Sequence, residues 1–168
     1  VGSGEKIAVT QPRRVACRSV SGFVAEQEGG ELGKEIGYQT RFEKKVSKDT
    51  EINFMTDGLL IRKMLQDPLL QEYAAVMVDE AHERSNNIDF TLGLLRDIQQ
   101  ARKERHMPEL KVVITSATMD KEKFSQFFSD DEGNGAPALE VPGRLHPVDI
   151  HYEERTPADC TKAAADKV

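Results

Sequence analysis

This chain of 168 residues has two cysteines, no long apolar run and no targeting signal. Each of these features excludes some classes of protein. Cys17 and Cys160 lie far apart with no Cys-x-x-Cys pair, which argues against a disulfide scaffold or a zinc ribbon. No apolar run approaches the roughly 18 residues of a membrane-spanning helix, and no signal-peptide pattern opens the chain. Asn-x-Ser/Thr acceptors, repeats and low-complexity segments are absent too. We therefore expect an intracellular globular protein, nuclear or cytoplasmic, with no membrane partner.

Charge is distributed unevenly along the chain. The formal net charge is −6, which argues against a simple basic nucleic-acid binder. Residues 1–50, however, carry nine Lys and Arg against seven Asp and Glu, so the N-terminal part of the chain is net basic. This asymmetry permits a local phosphate-binding face on an acidic body, although a solvated surface would give a similar count.

Apolar strands alternate with amphipathic helices through most of the sequence. Strands are predicted at residues 6–10, 52–55, 75–78 and 110–115, with further extended segments at 36–42, 139–141 and 148–152. Helices are predicted at 14–28, 57–66 (capped by Asp57), 88–101 and 120–128, with a last one starting at Thr156-Pro157. A polar turn is expected at 44–49. The alternation indicates an α/β fold with a mostly parallel sheet and helices on both faces.

The most informative segment is the apolar strand at residues 75–78, which is followed directly by Asp79-Glu80-Ala81-His82. Ligands of open α/β sheets bind at the carboxyl ends of the strands. Adjacent acids at that position are suited to holding Mg²⁺ beside a phosphate chain. A simple acidic helix cap is the alternative for these four residues alone.

Three further segments end other predicted strands with polar residues. They are Thr10-Gln11-Pro12-Arg13-Arg14, Thr56-Asp57-Gly58-Leu59-Leu60 and Ser116-Ala117-Thr118. The first places two guanidiniums beside a helix N-terminus, where free N–H groups favour an anion. Each segment alone could be a cap or a solvated surface. In a parallel sheet, all of them share one edge with the acids.

In order and spacing, these segments resemble the successive motifs of the DEAH-box helicases of superfamily 2. The blocks 37–43, 83–85 and 141–148 also resemble that family, so the resemblance covers nearly the whole chain. It implies a RecA-like fold, with residues 1–147 as part of the first motor domain and residues 148–168 leading into a second RecA-like domain. It also implies an ATP-dependent motor, able to use other NTPs, that translocates on and unwinds nucleic acid. RNA is favoured over DNA, and the implied protein partners are the second RecA-like and C-terminal domains of the parent chain and an activating protein.

The resemblance also implies roles for individual residues. Asp79 and Glu80 would hold Mg²⁺ largely through water, and Glu80 would orient or deprotonate the attacking water; His82 would complete the catalytic set. Ser116 and Thr118 would relay domain closure. Arg13, Arg14 and Thr56 would contact the phosphates of a single strand, without reading bases.

Two positions depart from the family pattern. The phosphate loop Gly-x-x-x-x-Gly-Lys-Ser/Thr is missing, since Lys6 is followed by Ile7 and the glycines before it are wrongly spaced. In the family this loop and its strand lie upstream, so we expect the chain to start after them, to bind nucleotide poorly by itself and to have an open sheet edge. Phe23 stands where many relatives carry an arginine that stacks on the nucleotide base; Phe23 could stack there or belong to the core.

Two other function classes remain open at this stage. A non-catalytic nucleic-acid-binding fragment, or a degenerate relative without turnover, fits the missing phosphate loop. A stand-alone metal hydrolase built on Asp79, Glu80 and His82 is disfavoured, because His82 lacks the second histidine of His-Glu-x-x-His and the other histidines have no ligand spacing.

Overall fold

The computed structural model describes residues 6–117, 121–143, 147–150, 152, 156 and 158–166. The chain forms two compact units, Val1–Ala136 and Pro137–Val168. The first unit contains the sheet and all the described helices but one. In the second unit a short helix, α5 (Cys160–Ala165), begins after Asp159, whose side chain accepts a hydrogen bond from the Lys162 N–H.

The first unit is built on a six-stranded sheet. Its strands are β1 (Lys6–Gln11), β2 (Ile36–Gln39), β3 (Lys44–Lys45), β4 (Ile52–Thr56), β5 (Tyr73–Val78) and β6 (Lys111–Ile114). Their order across the sheet is β3-β2-β4-β1-β5-β6. All neighbours run parallel except β2 and β3, which are antiparallel. The predicted α/β fold with a mostly parallel, RecA-like sheet is confirmed.

Helices join β1 to β2, β4 to β5 and β5 to β6, as is usual for connections between parallel strands. The described helices of the first unit are α1 (Arg14–Gln27), α2 (Asp57–Gln66), α3 (Asn86–Glu104) and α4 (Lys121–Phe127). The predicted bounds of α1 and α2 agree within one residue, whereas α3 is longer at both ends than the periodicity indicated. Asp57, predicted to be the cap of α2, lies inside its first turn, and Thr56 takes the N-cap position without a side-chain hydrogen bond.

Two apolar clusters cover the two faces of the sheet. Successive residues of β1 divide between them, since Ala8 belongs to the cluster with α2 and α3, and Val9 to the cluster beside α1. The same division separates Phe54 from Met55 in β4. Alternate side chains of a strand point to opposite faces, so each strand of the centre is buried on both sides. The site residues are therefore held by a rigid sheet.

Three regions differ from the sequence-based expectation or extend it. The polar segment after β2 forms a two-residue strand, β3, so the prediction of a simple turn at 44–49 was wrong at its start. The backbones of β2 and β3 lie close together here, because a Cβ on Gly37 would lie 2.5 Å from the Lys45 carbonyl oxygen. Within the described residues, 139–141, 148–150 and 152 take part in no strand, and the last helix begins at Cys160 rather than near Thr156. Pro157, its predicted first helical residue, lies outside the described residues.

Two further features concern the surface of the described residues. Strand β6 pairs only with β5, so its outer edge is unpaired there. Among the helices that the structure describes, none combines the length and the apolar character needed to traverse a bilayer.

Candidate functional site at the carboxyl edge of the sheet

The polar segments found in the sequence meet at one edge of the sheet. Gln11 of β1 is in register with Thr56 of β4, and Thr10 is in register with Val78 of β5. On the other side of β5, Val78 is in register with Ile114 of β6. Parallel pairing therefore brings the ends of four strands together, as the sequence predicted.

The acidic segment leaves β5 through an unusual turn. Glu80 adopts a left-handed backbone conformation (φ 56°), a short 3-10 helix spans Ala81–Glu83, and Arg84 is again left-handed (φ 46°). A left-handed conformation costs a non-glycine residue on the order of 1–2 kcal/mol, and such strain is concentrated at functional sites. Ser85 then caps α3, its hydroxyl accepting a hydrogen bond from the Ile88 N–H.

Hydrogen bonds fix both oxygens of the Asp79 carboxylate. Its Oδ2 accepts a 2.6 Å hydrogen bond from Gln11 Nε2. Its Oδ1 accepts one from the Glu80 N–H at 2.9 Å and another from the Thr115 hydroxyl. Donors on three strand ends thus hold one carboxylate in a single orientation. The sequence indicated the acid but neither Gln11 nor Thr115 as its partner.

His82 lies between Ser116 and Glu80. Its Nδ1 is 3.3 Å from the Ser116 hydroxyl and its Nε2 is 3.4 Å from Glu80 Oε2. With the proton on Nε2, a neutral imidazole would donate to the carboxylate and accept from the hydroxyl, which satisfies both contacts. The structure thus brings together three of the predicted catalytic and coupling residues. Thr118, the second predicted coupling residue, lies outside the described residues.

The two arginines predicted to act as a pair face different partners. Arg13 makes an exposed ion pair with Glu83, with Nη2 and Oε1 3.2 Å apart. Arg14 places its guanidinium carbon 5.5 Å from the centre of the Phe42 ring. Arg13 is therefore linked to the acidic segment, and Arg14 to the loop after β2.

An exposed aromatic platform lies beside Arg14. Phe42 is 72% exposed, and the guanidinium carbon of Arg41 is 5.3 Å from its ring centre. We refer to Arg14, Arg41 and Phe42 as the Phe42 platform. Sequence reasoning assigned Arg41 and Phe42 no role, although an aromatic residue next to an arginine in the one net-basic segment was a signal that could have drawn attention to them.

A carboxyl group at the start of α2 and a thiol of α1 are both buried. Asp57 is 3% exposed, and burial raises the pKa of its carboxyl above the usual range, with the charge of Glu83 acting in the same direction. Burial likewise raises the pKa of the Cys17 thiol to about 11, and Asp57 adds to that shift. Both groups are therefore kept uncharged more readily than in water. Phe23, by contrast, is 59% exposed on α1, so it is not a core residue; base stacking by Phe23 stays a prediction.

The donor set at the end of β5 suits Mg²⁺. This ion is usually held by one or two carboxylates together with substrate phosphates and water, and Asp79 and Glu80 provide that number. A protein-only metal site, which the metal-hydrolase alternative requires, has no candidate in the described part of the chain, where no group of three or more His, Cys, Asp or Glu side chains could hold an ion.

Comparison with known proteins identifies relatives of this arrangement. No protein-family model matches the chain. The chain is 45% identical over 170 residues to the probable ATP-dependent RNA helicase DHX35 homolog of Caenorhabditis elegans, covering 98% of this chain and 22% of that protein. It is 46% identical over 158 residues to the ATP-dependent RNA helicase DHX33 of Homo sapiens, covering 94% of this chain and 22% of that protein. The chain thus spans about a fifth of the length of these curated relatives. On the motifs, the sheet that carries them and these similarities, the chain belongs to the DEAH-box helicase family.

Proposed function

We propose that this chain is part of the motor of an enzyme that couples ATP hydrolysis to movement along, and unwinding of, single-stranded nucleic acid, with RNA favoured over DNA. One observation carries the proposal. The acids after β5 and the arginines after β1 meet at one sheet edge, where Gln11 donates directly to Asp79. Both curated relatives are named ATP-dependent RNA helicases, which supports ATP and RNA as the ligands.

Glu80 is the group we assign to activating the attacking water. It is partly exposed at the sheet edge, so its carboxylate can reach a water molecule and accept a proton from it, while the contact with His82 Nε2 helps to orient the carboxylate. Asp79, held by its three donors, is the better-fixed carboxylate and suits an orienting role toward Mg²⁺. Bound with the nucleotide, Mg²⁺ would neutralise phosphate charge. Use of other NTPs stays part of the hypothesis.

Ser116, with Thr118, is assigned to coupling. Its hydroxyl contacts His82, so a shift of the loop after β6 would change the hydrogen bonding of the imidazole. A second RecA-like domain is the expected source of such a shift. We assign residues 1–147 to the first motor domain and residues 148–168 to the connection into the second. An activating protein partner stays part of the hypothesis.

Nucleic acid is assigned to the face formed by Arg13, Arg14 and Thr56 and extended by the Phe42 platform. Guanidiniums bind phosphates, and an exposed ring flanked by cations is the kind of surface on which bases stack without sequence preference. Arg13 must release Glu83 to contact a phosphate fully, and an exposed ion pair opposes that exchange only weakly.

A non-catalytic nucleic-acid-binding role is the second candidate. It would apply to a protein without the loop Gly-x-x-x-x-Gly-Lys-Ser/Thr, a pattern that positions 1–168 do not contain. Turnover by the complete gene product that contains these residues separates the two candidates.

The decisive experiment is Glu80→Gln in that complete gene product, with Glu109→Gln as an exposed control. Glutamine keeps the size of the side chain but cannot accept the proton. We expect nucleotide binding to stay within a few-fold of wild type while RNA-stimulated hydrolysis falls by about a hundredfold or more. Wild-type turnover in Glu80→Gln would remove Glu80 from this role, and a wild-type protein that binds RNA but never hydrolyses NTP would favour the second candidate.

A further inference from the structure

Gln11 joins the nucleic-acid side of the site to the acidic side. It is the last residue of β1, it is 3% exposed, and its Nε2 donates to Asp79 Oδ2 over 2.6 Å. The chain then continues into Pro12, Arg13 and Arg14. A buried side chain at the start of the arginine segment is therefore in direct contact with a carboxylate that we assign to the nucleotide.

Backbone geometry makes this contact stiff. A residue before proline is restricted to extended conformations, so Gln11 cannot easily change its backbone when the arginines that follow it move. Its strand is paired on both sides, with Gln11 in register with Thr56 of β4 and with Thr10 in register with Val78 of β5. The Asp79 N–H also reaches the Thr10 carbonyl, at 3.3 Å. A displacement of the end of β1 would thus be transmitted to Asp79.

Gln11 also has a distinct place among the partners of Asp79. The other two donors, the Thr115 hydroxyl and the Glu80 N–H, both bind Oδ1. Among the described residues, Gln11 is the donor that the structure gives to Oδ2. Loss of its carboxamide would leave that oxygen without a protein donor and allow the carboxylate to rotate about the fixed Oδ1.

The second connection between the two segments is weaker. Arg13 and Glu83 form an ion pair that is largely open to solvent, where water and salt screen it. A phosphate arriving at Arg13 competes with Glu83 for the same guanidinium. The contact between the Gln11 carboxamide and the Asp79 carboxylate does not involve this guanidinium, so a phosphate at Arg13 would not compete with it directly.

We infer that Gln11 is a positioning residue that couples single-stranded nucleic acid at the arginine segment to the Asp79 carboxylate, and thereby to the metal–nucleotide complex. The inference rests on the proposed function. It predicts that nucleic acid and Mg-nucleotide strengthen each other's binding through Gln11, and thermodynamic linkage makes that effect equal in both directions.

The test uses the complete gene product with Gln11→Met, which keeps the side-chain volume but removes the donor, and Gln11→Glu, which keeps the shape but places a carboxylate against Asp79. Gln99→Met is the matched control, because Gln99 also donates its Nε2, over 2.8 Å, to the Leu110 carbonyl at the opposite end of the sheet. Affinity for an oligouridylate of about twelve nucleotides, a length within the usual site size, is measured with and without Mg-ADP. Turnover is measured with and without the same oligonucleotide, and thermal midpoints are compared.

For both Gln11 variants we expect oligonucleotide affinity without nucleotide to stay within about twofold of wild type. The Kd ratio without and with Mg-ADP should fall towards one. The oligonucleotide-stimulated kcat should fall by about 10- to 100-fold, and the half-saturating Mg²⁺ concentration should rise by about the same factor. This is the usual effect of removing a residue that hydrogen-bonds to a metal ligand. Gln99→Met should retain wild-type coupling.

Wild-type coupling in Gln11→Met overturns the inference and leaves the proposed function standing. The inference is also overturned if the Gln11 variants and Gln99→Met lose stability and coupling in parallel. The same holds if neither Gln11→Met nor Gln11→Glu folds, because Gln11 would then serve stability alone. A wild-type protein that neither binds the oligonucleotide nor responds to it overturns the proposed function itself.

Discussion

Replacing Phe42 with alanine tests the aromatic part of the proposed nucleic-acid face. The ring is 72% exposed and belongs to neither apolar cluster, so its removal should leave the fold intact. Stacking of one base on an aromatic side chain contributes about 1–3 kcal/mol, so Phe42→Ala should weaken binding of a single strand by about 5- to 150-fold. Because no charge is lost, the slope of log K against log salt should stay unchanged.

Substitution of the platform arginines, unlike that of Phe42, should change the slope of log K against log salt. Their guanidinium carbons lie 5.3 Å (Arg41) and 5.5 Å (Arg14) from the ring centre, so both cations lie near the ring on which a base would stack. Arg14→Gln and Arg41→Gln should each reduce the magnitude of the salt slope by about 0.7, the value for one lost phosphate contact on a single strand. A change in affinity without a change in slope would assign an arginine to the ring rather than to a phosphate.

Fluorescence anisotropy of a labelled oligouridylate, titrated at several salt concentrations with the complete gene product, measures both quantities. Phe90→Ala is the matched control, since Phe90 is 58% exposed but lies on α3. The reasoning is refuted if Phe42→Ala binds as tightly as Phe90→Ala, or if its loss of affinity disappears at high salt.

Three further substitutions test other contacts. Ser116→Ala removes the hydroxyl at His82 Nδ1 and should reduce strand separation more than NTP turnover; equal losses in parallel assays would contradict a coupling role. Asp57→Asn should raise the free energy of unfolding at pH 7. Burial raises the folded-state pKa of the Asp57 carboxyl, so the stabilising contribution of this group is fully present below its unfolded-state pKa and is lost as pH rises through its folded-state pKa. Asparagine stays neutral and does not suffer this loss. Denaturant titrations should show this advantage vanishing towards about pH 3, and an advantage that does not depend on pH would refute the cause. Arg102→Met should lower the free energy of unfolding by at least about 3 kcal/mol, because the buried guanidinium donates to the carbonyls of residues 69, 70, 73 and 108; the exposed Arg105→Met is the control, and equal stability of the two would contradict the assignment.

The sequence by itself determined the elements and the edge at which they act. Apolar strands and helical periodicity are local signals, so α1 and α2 were predicted within a residue of their observed bounds. The acids after β5 were assigned to a ligand-binding edge because the carboxyl ends of parallel strands converge there. Motif order then indicated the DEAH-box family, which the relatives support.

Only the tertiary structure decided which side chains meet at that edge. Gln11 and Asp79 are 68 positions apart, and Arg13 and Glu83 are 70 apart, so no local pattern pairs them. Their contacts depend on the strand order, which places β1 between β4 and β5, and on a register fixed by pairing. The same geometry separates Arg13 from Arg14, neighbours in sequence that the structure directs to Glu83 and to Phe42. Composition and periodicity encode what each segment is, whereas long-range strand pairing and packing select its partners.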